Sequence, residues 1–147
     1  MSQPFVFKLA SILRYRVQQE EQAQMAFSQA KALYERQGRL VSELASKIKE
    51  CDARFITQQS MTQADLWLWG NYKKRLEHDH GEAKILLGKY ARDVEKKRAI
   101  LIVCAKNKKL LEKLQSNQAR EHEEHERTLE QKEFDETATL RFDKAYS

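Results

Sequence analysis

The sequence predicts an all-α fold, a long two-helix antiparallel coiled-coil hairpin whose second helix is longer than the first. Three observations carry that expectation. The 147 residues include one proline and four glycines, so helix breakers are nearly absent. Charged residues make up 33% and hydrophobic residues 41%, a balance typical of long solvated helices. Two long stretches repeat apolar residues in alternating steps of four and three, separated by a short polar segment.

The first seam runs Leu9, Leu13, Arg16, Glu20, Ala23, Phe27, Ala30, Tyr34, Gln37, Val41, Leu44, Ile48, Cys51 and Phe55. Eleven of these fourteen are apolar, which sustains the repeat well beyond a short amphipathic helix. Arg16 and Glu20 are four apart and are expected to pair along the helix. Gly38, beside Gln37, marks a weaker turn that costs about 1 kcal/mol against alanine. Helix 1 is expected over about 8–55.

The pattern stops in a polar stretch at about 56–62, where the turn is placed. Thr62 and Asp65 form a Thr-x-x-Asp helix start, in which the hydroxyl accepts a free backbone N–H. Helix 2 is expected over about 63–142, and the whole chain, 1–147, as a single elongated coiled-coil domain. Its seam reads Trp69, Tyr72, Leu76, Asp79, Ala83, Leu86, Tyr90, Asp93, Lys97, Ile100, Cys104, Asn107, Leu111 and Leu114. Asp79, Asp93, Lys97 and Asn107 interrupt it. The apolar block 100–104 faces every side of a helix, as a shift of register or an additional contact surface would require.

A connection this short forces the helices to be antiparallel. At 1.5 Å per residue helix 1 spans roughly 70 Å and helix 2 roughly 120 Å, so helix 2 overshoots. Leu9 is expected opposite Leu111, leaving the chain beyond Leu114 without a partner.

Composition also excludes functions. Cys51 and Cys104 are isolated within helical patterns, so neither a disulfide framework nor a zinc site is expected, and a reducing compartment fits. The longest apolar run, 99–105, is far short of the ~20 residues that span a bilayer, so no membrane span is expected. Net charge is +5, distributed as +2 over 1–72, +7 over 73–113 and −4 over 114–147. No sustained basic face interleaved with aromatics and no recognised module is present, so nucleic acid is not an expected partner.

His78 and His80 are two apart and point to different sides of a helix. His122 and His125 are three apart, without a third ligand. No nucleophile with an adjacent base, phosphate-cradling loop or dinucleotide fingerprint occurs, so no enzyme activity, cofactor or metal is expected. Trp67, Trp69 and Tyr72 are more informative. They follow the turn, where a two-helix hairpin has least core to hide large rings, and Trp and Tyr anchor many interfaces. Trp67, two residues from Trp69, must face elsewhere.

The chain begins Phe5-Val-Phe-Lys-Leu-Ala-Ser-Ile-Leu-Arg-Tyr-Arg16, followed by Glu20-Glu21 and Ala23-Gln24. It continues later with Lys108-Lys-Leu-Leu-Glu-Lys-Leu114 and Glu130-Gln-Lys-Glu-Phe-Asp-Glu-Thr-Ala138. These segments, in this order, resemble the flagellar export protein FliJ family, with Phe134 where leucine is usual. The resemblance implies a cytoplasmic component of the flagellar type III export apparatus, peripherally associated with the inner membrane at the flagellar base, serving flagellum biogenesis and hence motility and chemotaxis. It implies a fold similar to the central-stalk coiled coil of rotary ATPases. The implied partners are the export ATPase ring and the cytoplasmic part of the export gate, with a link to recycling of substrate chaperones. On this likeness Trp67, Trp69, Tyr72, Leu76, Asp79 and Ala83 would meet the gate, with Asp79 a polar departure from an apolar line. Phe5, Phe7, Leu129, Glu130, Glu133, Phe134, Asp135, Glu136 and Leu140 would meet the ATPase. The same architecture would also suit a stalk protein of a virulence secretion system, a rotary ATPase subunit or a generic coiled-coil scaffold.

Overall fold

The computed structural model describes residues 3–57 and 60–146. Two helices are present: α1, Ala10–Thr57, and α2, Gln63–Tyr146. Of the expected turn, Ile56 and Thr57 continue α1, residues 60–62 are non-helical, and residues 58 and 59 lie outside the described residues. The start of α2 is set by a reciprocal cap. Asp65 N donates to Thr62 Oγ1 at 3.2 Å, and Thr62 N donates to Asp65 Oδ2 at 3.4 Å. Two of the backbone N–H groups that a helix start leaves unpaired are thereby satisfied.

The chain divides into two compact units, one of Glu21–Ile102 and one of Met1–Glu20 with Val103–Ser147. In the first, α1 and α2 run antiparallel: Asp52 meets Lys73, Gln37 meets Ala83, and Phe27 meets Arg98, so numbers rise on one helix as they fall on the other. Ala23, Ala30, Gln37 and Cys51 are the buried residues of α1, all on the expected seam. Leu76, Ala83 and Val94 are buried on α2. Four of the buried seam positions, Ala23, Ala30, Cys51 and Ala83, carry small side chains, which let two helices approach closely but bury little apolar area each.

The α2 seam differs from the expected one at every second position. Trp69, Leu76, Ala83, Tyr90 and Lys97 face α1 as expected, but between them stand Lys73, His80, Leu87, Val94 and Leu101. Tyr72, Asp79, Leu86 and Ile100 are instead exposed. The step order is four-then-three, not three-then-four. Asp79 therefore does not interrupt the core, because it is not in it. The apolar block 100–104 needs no register shift either: Leu101 and Cys104 face inward, while Ile100, Ile102 and Val103 are on the surface.

In the second unit the same phase continues on α2 through Cys104, Lys108, Leu111, Gln115 and Gln118. Glu20 does not pair with Arg16. Its carboxylate meets Lys108 Nζ at 2.6 Å across the hairpin, and Arg16 donates to Gln19 Oε1 at 3.1 Å. An ion pair between facing seam residues joins the two helices, which a pairing along one helix cannot do. Ahead of α1, the non-helical segment from Gln3 lies on α2. Phe7 is buried, the Phe5 ring sits 5.8 Å from the His122 imidazole, and His122 Nε2 is 2.7 Å from the Gln3 carbonyl. His122 and Glu126 are consequently half-buried. The uncovered part of α2 thus begins after Glu126 and not after Leu114, because extended chain reaches about 3.3 Å per residue against 1.5 Å in a helix.

Candidate functional site

Two stretches of surface hold the residues expected to meet partners. The first lies in the unit Glu21–Ile102, beside the turn. Trp69 is half-buried, with the Tyr72 ring edge-on at 5.9 Å and the Arg54 guanidinium 5.7 Å from its centroid. Arg54 therefore clamps Trp69 from α1 by a cation–π contact. Tyr72 keeps 46% of its surface exposed. Trp67 lies two residues earlier, about 200° round the helix, and is 68% exposed.

The remaining residues of this set divide by depth. Leu76 and Ala83 are each 6% exposed and belong to the seam against α1, whereas Asp79 stands on the surface. Asp79 borders an open groove lined by Leu40, Leu44, Ala83 and Leu86. Tyr72, Asp79 and the exposed part of Trp69 share one side of α2, whereas Trp67 points to the opposite side, so a single partner meets all four only by wrapping the helix. Leu76 and Ala83 hold that face in place from beneath.

Lys73, on the α2 seam one turn from Trp69, bonds Asp52 Oδ1 at 2.6 Å and lies 3.9 Å from Glu77 Oε1. The hydrogen bond to Asp52 and the charge of that carboxylate raise its pKa above the ordinary 10.5. Phe55, Ile56, Leu66 and Leu68 are further exposed apolar side chains near the turn, of which periodicity singled out only Phe55, and that as a seam residue. Their signal is in the sequence nonetheless: residues 55–72 contain one charge, Asp65, in a chain that is one-third charged.

The second stretch lies in the other unit. Phe7 is buried and Phe5 half-buried against His122, so both rings are engaged within the chain. On α2, Leu129, Phe134 and Leu140 are 41%, 71% and 65% exposed. Glu130, Glu133, Asp135 and Glu136 are exposed beside them, with Asp135 accepting from Gln131 Nε2 at 3.1 Å. Apolar and acidic groups therefore share one uncovered helical segment.

Among the described residues no group of histidine, cysteine or carboxylate side chains could hold a metal ion, and no helix is long and apolar enough to cross a membrane. No curated protein and no solved structure matches the chain. A family model does: that of the Flagellar FliJ protein matches residues 5–146, a span that takes in the opening Phe-x-Phe segment, the 108–114 segment and the 130–138 segment. The chain belongs to the flagellar FliJ family.

Proposed function

We propose that the chain is a non-enzymatic coupling element of the flagellar type III export apparatus, a stalk-like hairpin that contacts the export ATPase ring at one stretch and the cytoplasmic part of the export gate at another. Membership of the family gives it a role in flagellar protein export. The observation that supports two separate contacts is the distribution of exposed apolar surface. One set, Trp67, Tyr72 and the exposed part of Trp69, lies beside the turn, and another, Leu129, Phe134 and Leu140, lies on α2 beyond Glu126.

The gate contact is assigned to Trp67, Trp69, Tyr72 and Asp79, with Leu76 and Ala83 as its support. The ATPase contact is assigned to Leu129, Phe134 and Leu140, with Glu130, Glu133, Asp135 and Glu136 steering the approach. Phe5 and Phe7 serve that contact indirectly, by fixing the N-terminal segment on α2. The protein works on the cytoplasmic side of the inner membrane, at the flagellar base, and handing on of substrate chaperones belongs to the same assignment.

Binding of purified gate domain and ATPase to the full chain tests this. Trp67→Ala is expected to weaken gate binding at least about tenfold while leaving stability within about 0.5 kcal/mol, as for a surface site. ATPase stimulation should be unchanged. Gate binding at wild-type strength would reject the assignment, as would a collapse of stability.

A further inference from the structure

We propose that the turn end of the hairpin is also a lipid-contacting tip, which seats in the headgroup layer of an anionic membrane through Phe55, Ile56, Leu66 and Leu68, with Trp67 among them. These side chains are 53%, 81%, 41%, 59% and 68% exposed, and all lie in the last turn of α1 or the first two turns of α2. Phe55 stands close to α2, since it lines one small hollow together with Trp69, Gly70 and Lys73. Both helices therefore present apolar groups at the same end of their unit.

The arrangement of these groups selects the partner. A protein groove takes one stripe of a helix, with anchors three or four residues apart. Leu66, Trp67 and Leu68 are consecutive, so they sweep about 200° around α2, and Phe55 with Ile56 adds consecutive positions on α1. A fluid layer accepts apolar groups pointing in all these directions at once. Charge supports the same occupant. From 55 to 72 the single charge is Asp65, and it is turned back onto the Thr62 N–H as a helix cap. Flanking that uncharged stretch are Arg54 on α1 and Lys73, Lys74 and Arg75 on α2. Lys73 is committed to Asp52 and Arg54 lies over Trp69, but Lys74 and Arg75 are exposed. An uncharged apolar end with a cationic collar matches the headgroup boundary of an anionic bilayer, with the collar at the phosphates and the apolar groups ~5–10 Å deep. No described helix can span a bilayer, so the contact is interfacial.

This contact is with lipid; it shares Trp67 with the proposed gate contact, but Phe55, Ile56, Leu66 and Leu68 belong to it alone, and the test is placed on two of those. The test uses the full chain and protein-free vesicles of phosphatidylglycerol with phosphatidylcholine, against phosphatidylcholine alone. Tryptophan emission should shift to the blue and the protein should co-sediment with the anionic vesicles, with at least about tenfold weaker partition onto the neutral ones. Ile56→Ser with Leu68→Ser should lower the anionic partition by at least about tenfold at unchanged helicity, while gate binding stays at wild-type strength. Lys74→Glu with Arg75→Glu should weaken it as well. Absence of both the shift and co-sedimentation would overturn the proposal. So would undiminished lipid binding by the double serine variant, which would move the lipid contact elsewhere, or loss of its gate binding, which would make the patch a protein surface.

Discussion

Gln37 reaches across the hairpin from α1 and donates through Nε2 to the backbone carbonyl of Ala83 at 3.0 Å, with only 8% of the residue exposed. A helical carbonyl has a second lone pair beside the one its own helix uses, so the amide adds a bond without breaking the ladder. A single buried polar contact of this kind fixes register more than it adds stability. Gln37→Leu should accordingly change the unfolding free energy by less than about 1.5 kcal/mol, whereas Gln37→Glu should cost about 2–3 kcal/mol by aiming a carboxylate at a carbonyl. Urea denaturation of the two variants measures the difference. Equal losses would mean the amide is held for its bond and not for register.

The Lys73–Asp52 pair predicts a dependence on pH. Lys73 has its pKa raised above 10.5 by the hydrogen bond to Asp52. A raised pKa means that the folded state favours the ammonium form, so its contribution is complete below 10.5 and is lost as pH rises through the higher folded value. The gap in urea midpoint between wild type and Lys73→Met should be flat around neutral pH and close in strong alkali. Because the pair is partly exposed, added salt should narrow the gap at neutral pH. A gap that widened in alkali would reject the pairing as its source.

The hairpin was legible in the sequence because α1 keeps one apolar stripe, and Ala23, Ala30 and Cys51 are buried where the stripe puts them. The α2 register was not. Pairs of apolar neighbours such as Leu86–Leu87 and Ile100–Leu101 fit either phase, and Tyr72 is more apolar than Lys73, so apolar counting favours the wrong one. What decides is across the gap: Lys73 and Lys108 face Asp52 and Glu20 at 2.6 Å each. Facing partners of that kind cannot be read from one strip of sequence. The aromatic face near the turn was visible as Trp67, Trp69 and Tyr72, but the depth of Leu76 and Ala83 followed only from the corrected phase.

Gly81 and Gly88 sit within α2, and a Cβ added to either would meet no heavy atom within 4 Å. Gly38, on α1, would place its Cβ 4.0 Å from Leu87 Cδ1, an ordinary contact. None of the three glycines has a positive φ, so alanine fits the backbone at each. Each substitution to alanine should stabilise by roughly 0.5–1 kcal/mol through lost freedom in the unfolded chain. Thermal unfolding followed by circular dichroism should show a higher midpoint for each variant. A lower one at Gly81 or Gly88 would show that the added methyl group is not accommodated there as the open surroundings require.

The end of α2 gives the sharpest test of the division between structure and function. Gln3, Phe5 and Phe7 cover α2 as far as Glu126, whose side chain is 18% exposed, and every residue described from Arg127 to Ala145 is exposed. A helix of about twenty residues without a packed face is marginal in water, so this segment is expected to fray alone and to order on a partner. Truncation after Arg127 should therefore leave the cooperative unfolding of the hairpin within about 0.5 kcal/mol of the full chain. Stimulation of the export ATPase should be lost, with gate binding retained. Truncation after Leu114 is a different experiment, because it also removes His122, on which Phe5 and the Gln3 carbonyl rest, and it should destabilise the N-terminal segment as well. Undiminished stimulation by the chain ending at Arg127 would take the ATPase contact off the tail and return it to the basic stretch 96–109, where Lys96, Lys106 and Lys109 are exposed.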